Sequence, residues 1–480
     1  MSAHFTLTED EVHRPFLHRS IPPSNGLEEE IAPSLSSNLP EAPPPRNQRL
    51  KSLDVFRGLT VALMILVDDA GGAFPSINHS PWFGVTLADF VMPFFLFGVG
   101  ISIALVFKKV SSKSMATQKV ILRTIKLFLL GVFLQGGYFH GRHSLTYGVD
   151  VRKIRWMGVL QRISIGYLFA SMSEIFLVDH IMIDRPLAFV KKYYAQWVIS
   201  FTLCSLYICL LYFLFVPNWE FEAPNINQYG YESRTLTVNC GVRGSLEPPC
   251  NAVGLIDRFF LGEHHLYQRP VYRRTEQCSV HSPDYGPLPP NAPAWCLAPF
   301  DPEGILSSLS AAVTCFLGLQ FGHILVYCQD NIRRVFLWLV SSFSLLIAGY
   351  ILNLLGIPFS KPLYTLSYMC ITAGASGLLL TIIFYIVDVK QYRRPMVIFE
   401  WMGMNALIIY ALAACDLFPA ALQGFYWRSP ENNLVDGTEF LFQNILHSEN
   451  YGTLAFVITN ILFWGVVAGF LHMKGIYVRL

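Results

Sequence analysis

The chain has 480 residues, of which 53% are hydrophobic and 14% charged, with a formal net charge of +2. Soluble domains carry about 25% charged residues, so this composition excludes an ordinary water-soluble globule. The near-neutral balance, with no basic cluster interleaved with aromatics, gives no footing for nucleic acid.

Runs of roughly 20 apolar residues recur along the chain, long enough to cross about 30 Å of hydrocarbon as helices. They do not alternate in polarity as the strands of a membrane barrel would. The sequence therefore predicts an all-α fold: a polytopic transmembrane helix bundle of about ten spans with one long, disulfide-containing extracytosolic loop. Residues 1–50, with Pro15, Pro22, Pro23, Pro33, Pro40 and Pro43-Pro44-Pro45 among Ser, Asn and Glu, read as a disordered cytosolic tail without a cleavable signal peptide. Residues 51–480 form the transmembrane domain. Spans are expected at 53–74, 85–107, 119–138, 154–178, 195–216, 304–327, 335–355, 363–387, 397–418 and 453–472.

Short cytosolic loops hold an excess of Lys and Arg. Lys108, Lys109, Lys113 and Lys119, then Arg185, Lys191 and Lys192, Arg333 and Arg334, Lys390, Arg393 and Arg394, and Lys474 and Arg479 all fall on one side. That side, with both termini, is expected in the cytosol, although Arg142, Arg152, Lys153 and Arg155 lie opposite. The loop at 217–303 then lies outside the cytosol and contains Cys240, Cys250, Cys278 and Cys296. An even set there reads as two disulfides with three pairings open; no close pair suits a zinc knuckle.

Charged groups at membrane depth are expensive and ask for a partner or a purpose. Asp54 and Arg57, three residues apart on a helix, share a face; they read as a local ion pair, or Arg57 meets a donor phosphate. After the first span, Asp68-Asp69 and Gly71-Gly72 lead into Asn78-His79-Ser80-Pro81-Trp82, followed by Asp89. Carboxylates, a glycine pair and a histidine at the extracytosolic mouth compose an acid–base site. Histidine suits proton transfer because its ordinary pKa is about 6.5, and a neighbouring carboxylate can fix its tautomer. A lone interfacial histidine is the competing reading. Asn78-His79-Ser80 is also a glycosylation sequon, expected to be unoccupied so near the membrane. Arg162, beside Gln161 in the fourth span, is expected either to pair with Asp89, Glu174 or Glu400 or to hold a donor. Asp301-Pro302 reads as the N-cap and first residue of the sixth span, leaving Glu303 as the functional candidate. Glu400, Asn405 and Asp416 add polar groups to the ninth span. His264-His265 read as a surface pair rather than as metal ligands, and no nucleotide-binding loop or metalloprotease helix is present.

Taken together, Ser52-Leu53-Asp54-Val55-Phe56-Arg57-Gly58, the Gly71-Gly72 to His79-Ser80-Pro81-Trp82 return, Ala88-Asp89-Phe90, Gly158-Val159-Leu160-Gln161-Arg162, Gly262-Glu263-His264-His265-Leu266-Tyr267, Asp301-Pro302-Glu303-Gly304-Ile305-Leu306 and Gly403-Met404-Asn405-Ala406 resemble one family in order. It is that of the membrane acetyltransferases typified by heparan-α-glucosaminide N-acetyltransferase, in their plant-type form, and the likeness runs from Lys51 to the C-terminus. The resemblance implies acetyl-CoA as a cytosolic co-substrate, no metal, and a lumenal or extracellular amino sugar as acceptor, attacked at its amino or hydroxyl group. It implies His79 as the catalytic residue, with Asp68 at the family's asparagine position; an anionic Asp68 would raise the pKa of His79 where an amide would not. The remaining candidates are Arg57, Gln161 and Arg162 for the donor and Asp89, Trp82, His265, Glu303 and Asn405 for the acceptor. The N-terminal lumenal domain and span of the animal enzymes are expected to be missing.

The expected partners are the bilayer, a small-molecule donor and a sugar-like acceptor, with a homodimer left open and an endomembrane (vacuole- or lysosome-like) or plasma-membrane location. The competing class is a solute transporter with a buried acid and arginine path; no inverted repeat is visible to favour it.

Overall fold

The computed structural model describes residues 50–108, 112–135, 151–178, 186–227, 230–267, 269–414, 425–429 and 432–477. The expected tail at 1–49 lies outside the described residues, as do Lys109, Arg142, Arg185, Asp416 and Arg479. Each of the ten expected apolar segments coincides with a helix: α1 (Lys51–Ala70), α2 (Leu87–Val106), α3 (Lys113–Gln135), α4 (Val159–Leu177), α5 (Pro186–Phe213), α7 (Ile305–Tyr327), α8 (Asn331–Leu354), α9 (Leu366–Phe384), the pair α10 (Val397–Met404) and α11 (Ala406–Ala414), and α13 (Glu449–Met473). The short helices α6 (Ala252–Leu261) and α12 (Leu434–Leu446) complete the set.

Among the described residues six helices are long and apolar enough to cross a membrane: α2, α5 from Lys192, α7, α8, α9 with its terminal wide turn to Val389, and α13; α10–α11, bent by 75° at Asn405, makes a seventh if counted as one span. The shortfall from ten has a physical source. Charged residues are concentrated in α1 (Asp54, Arg57, Asp68, Asp69) and α3 (Lys113, Lys119, Arg123, Lys126), while α4 carries Gln161, Arg162 and Glu174. Each polar group inside a bundle lowers the apolar character that marks a span, yet can be kept if its neighbours solvate it.

The helices meet through small residues, as expected where lipid offers no hydrophobic drive between them. A Cβ on Gly58 would strike the Phe399 carbonyl, and one on Gly403 the Asp54 carbonyl, so α1 and α10 touch backbone to backbone. Gly100 and Gly318 bring α2 and α7 together in the same way. Around these contacts pack Phe56, Phe94, Phe97, Phe321, Trp338 and Phe384.

The long loop carries the little sheet that accompanies the helices. It holds β1 (Phe215–Val216) paired antiparallel with β4 (Val242–Arg243), and a hairpin of β2 (Trp219–Asn227) and β3 (Gly230–Val238) in which Trp219 faces Val238. The disulfides are Cys240–Cys250 and Cys278–Cys296, which selects one of the three open pairings. Trp82, Tyr272, Phe300 and Phe221 form an apolar core under this cap.

Candidate active site

The return between α1 and α2 is organised by Asp89. As the third residue of α2 it closes a capping box with Thr86, its carboxylate accepting from the Thr86 amide (3.0 Å) and hydroxyl (3.0 Å). The same carboxylate accepts from the Ser80 amide (3.2 Å) and hydroxyl (2.9 Å), and stands 2.8 Å from His79 Nδ1. A fully buried carboxylate that accepts from the imidazole makes Nδ1 the protonated nitrogen and leaves the lone pair on Nε2. The backbone amide of His79 donates to Asn78 Oδ1 at 2.8 Å, and Asn78 Nδ2 donates to Asp284. The sequon amide is thus committed inside the fold.

His79, Asp68 and Lys361 line one cavity of about 120 Å³ together with Met64, Val159 and Tyr410. Lys361 Nζ lies 3.0 Å from His79 Nδ1, 3.2 Å from Nε2 and 3.9 Å from Asp89 Oδ1. Burial, and then the Lys361 ammonium, push the His79 imidazole below the ordinary histidine value, against the hydrogen bond and charge of Asp89. Burial likewise pulls the Lys361 ammonium down, while Asp89, Glu303 and Asp68 work to raise it.

Behind Lys361, Arg155 binds Asp301 through Nε (2.7 Å) and Nη2 (2.6 Å), and also binds Glu303. Burial alone would raise Glu303; Arg155, Arg162 and Lys361 together hold it down to about 2. Asp301 is not the helix cap expected of it: bound by Arg155, its carboxylate accepts the Glu303 amide (2.9 Å), ahead of the helix. α7 begins instead at Ile305, whose amide donates to Asp257 Oδ1 of α6 at 2.8 Å. A Cβ on Gly304 would collide with that carboxylate. Arg162 does not make the acid pairing expected as one of its two roles: its Nη2 donates to the Pro302 carbonyl (2.9 Å) and to Ser307, and its guanidinium lies over Tyr364. The three acids proposed as its partners are taken elsewhere, Asp89 by His79, Glu174 by His323 at 2.9 Å, and Glu400 by Lys51 at 3.7 Å.

No family model matches the chain. It is 30% identical over 446 residues to the mouse protein named heparan-alpha-glucosaminide N-acetyltransferase, which covers 87% of this chain and 60% of that protein. The human protein of the same name is 28% identical over 447 residues, covering 87% and 60% respectively. The chain belongs to the heparan-α-glucosaminide N-acetyltransferase family. It spans about 60% of the length of these relatives.

For a member of the heparan-α-glucosaminide N-acetyltransferase family, the residues singled out in the sequence occupy three different places. His79, Asp68 and Asp89 come together, with Glu303 and Arg162 beside them through Lys361. Gln161 is fully buried beside Arg162; among the described residues its amide has no hydrogen-bond partner, and it packs against Gly131 of α3. Trp82 is turned into the cap, its indole donating to the Leu246 carbonyl at 2.9 Å, and His265 is bound to the Ile154 carbonyl at 2.6 Å. Neither lines the cavity. Arg57 pairs with Asp54 (3.6 Å) and donates to Ser102, eleven residues before Asp68 on α1 and therefore about 16 Å away along the axis. Asn405 sits buried at the bend between α10 and α11.

Lys361 is the residue the sequence reading missed. It lies in a connection between two apolar helices, and its only signal was a lone lysine between Ser360 and Pro362 on the side poor in basic residues.

Proposed function

We propose that this chain is a membrane acetyltransferase that takes acetyl from cytosolic acetyl-CoA and delivers it to the amino or hydroxyl group of a sugar on the far side of the bilayer. In this reading α1, α3 and α4 also span, making ten, both termini are cytosolic, and residues 51–480 act as one domain in a vacuolar, lysosomal or plasma membrane. The observation that carries it is His79: its Nδ1 is held by a buried carboxylate while its ring borders a cavity shared with Asp68 and Lys361. An imidazole fixed at one nitrogen presents the other as a base or nucleophile, the arrangement that acyl transfer requires.

His79 Nε2 takes the proton of the attacking acceptor, or receives the acetyl group itself and passes it on. A CoA thioester cannot cross a bilayer, but two carbons threaded into the bundle can reach this nitrogen. In this reading Arg57, at the opposite end of α1, meets the donor's phosphates, and Gln161 and Arg162 act on the donor nearer its acetyl end. Asp68 faces the acceptor, and Asp89 and Glu303 set the charges of the groups that do.

Purified protein in vesicles, given labelled acetyl-CoA on one side and glucosamine on the other, is expected to form labelled N-acetylglucosamine, and His79→Ala to form at least a hundredfold less. Full activity in His79→Ala, or solute uptake that ignores CoA, would overturn the reading. A burst of free CoA in the absence of acceptor identifies the acetyl-imidazole route.

A further inference from the structure

We propose that Lys361 is a catalytic residue: its ammonium donates a hydrogen bond to the acyl carbonyl oxygen as that oxygen becomes an oxyanion beside His79. The inference rests on the acetyltransferase reading above and names the group that answers the charge which develops in it.

Three observations carry it. First, the neighbours of Lys361 Nζ at hydrogen-bond distance, among the described residues, are the two nitrogens of His79, while its nearest carboxylate oxygen is 3.9 Å away. Second, the acids around it have partners of their own. Asp89 accepts from His79, from Ser80 and from Thr86, and Glu303 is bound by Arg155. Lys361 reaches Asp89 only as a looser ion pair at 3.9 Å, outside hydrogen-bond distance. Third, the turn that presents it is pinned on both flanks. Thr365 and Ser367 donate to the Pro358 carbonyl (2.8 and 3.0 Å), the Ser360 amide donates to Thr365 Oγ1 (3.2 Å), and the Gly84 amide of the His79 return donates to the Phe359 carbonyl (2.8 Å). A preorganised donor in a water-poor site costs no reorganisation when charge appears, and such donors are among the largest contributors to acyl-transfer catalysis.

With Nδ1–H committed to Asp89, the ammonium has only the Nε2 lone pair to donate to at rest. When an acceptor amine and a thioester enter, the amine's lone pair forms the C–N bond and the carbonyl π pair moves onto oxygen. His79 Nε2, freed from Lys361, takes the amine's proton. Lys361 donates to the oxyanion without giving up its own proton. On collapse the C–S bond breaks with its pair on sulfur, and the proton on His79 returns to the thiolate, leaving the acetamide and free CoA. The charged and titratable groups facing Lys361 are Asp68 at the end of α1, His79, Asp89 in α2, Arg162 in α4 and Glu303 before α7.

The test compares wild type, K361M, K361R and K361Q in vesicles with acetyl-CoA and glucosamine, normalising to folded protein by acetyl-CoA binding. K361M is expected to lower kcat about 10²–10³-fold, with KM for acetyl-CoA changed less than about threefold, and K361R to recover at least a tenth of wild-type kcat. Removing the ammonium also relieves its effect on the imidazole, so the acid limb of the K361M profile moves to higher pH. Wild-type kcat in K361M overturns the proposal, as does a loss that vanishes on normalisation. If K361M does not fold, wild-type kcat in K361Q overturns the role of the ammonium, because an amide can donate a hydrogen bond but carries no charge. Should wild type itself make no acetyl product, or His79→Ala remain fully active, the acetyltransferase reading fails instead.

Discussion

An imidazole works as a base only through a nitrogen that is not already committed, and at His79 the commitment of Nδ1 to Asp89 decides which nitrogen that is. Asp89→Asn keeps the size of the side chain but replaces a pure acceptor by a group that can also donate, so the ring loses its enforced tautomer. The expected result is a fall in kcat of about 10²–10⁴-fold, read by acetyl transfer per folded molecule. A second prediction concerns pH. In the proposed reaction His79 acts as the neutral ring, and its pKa is lowered from the ordinary value. Activity should therefore persist as pH falls through 6.5 and be lost only below it, giving an acid limb of kcat/KM under that value. A limb above 6.5 would contradict the placement of Lys361 beside the ring. His79, Asp68 and Asp89 were legible in the sequence because they cluster within 22 residues around one return. Lys361 was not, because its proximity depends on α8 and α9 delivering a turn to the same end of the bundle.

At the scale of elements, α7 starts where a neighbour caps it. Burial, with Asp301 nearby, raises Asp257 to about 7 although it accepts the Ile305 amide. A carboxyl whose folded pKa exceeds its unfolded one contributes stability at low pH, and that contribution is lost as pH rises through the folded value. Asp257 should thus favour the fold at pH 5 over pH 7.5, so Asp257→Asn should lower the melting temperature at pH 5 relative to that at pH 7.5; an unchanged pH dependence of melting would remove Asp257 from the account. The α1–α10 contact sets a sterner limit. With a Cβ at Gly58 already colliding with the Phe399 carbonyl, Gly58→Leu must separate the two backbones, and loss of monodisperse protein on size-exclusion chromatography in detergent is expected. The helix positions were readable because a run of apolar residues fixes its own hydrogen bonds. The capping of α7 was not, since Asp301 satisfies every local rule for an N-cap, yet the carboxylate that accepts the first amide of α7 is Asp257, 48 residues away, while Asp301 is bound by Arg155.

Across the whole molecule, the connections divide between two ends. The His79 return reaches Phe359, Leu246 and Asp284 at one end, with both disulfides in the cap there, while Ser52 meets Asp388 and Lys51 meets Glu400 at the other. Lys390, Arg393 and Arg394 belong to the latter end, which is the one the charge rule assigns to the cytosol. An impermeant maleimide applied from the cytosolic side should label Lys390→Cys and leave Asn291→Cys untouched. The reverse pattern would invert the topology and take the acceptor side with it.

By itself the sequence determined the membrane class, the ten helical segments, the oxidised loop and the His79 neighbourhood. Each of these follows from local composition or short spacing, and local physics is written in order along a chain. Only the tertiary structure decided which cysteines pair, that the loop carries strands, where Arg162 points and that Lys361 stands beside His79. Those outcomes depend on groups distant in sequence competing for the same partner, and the winner is set by where the helices place them.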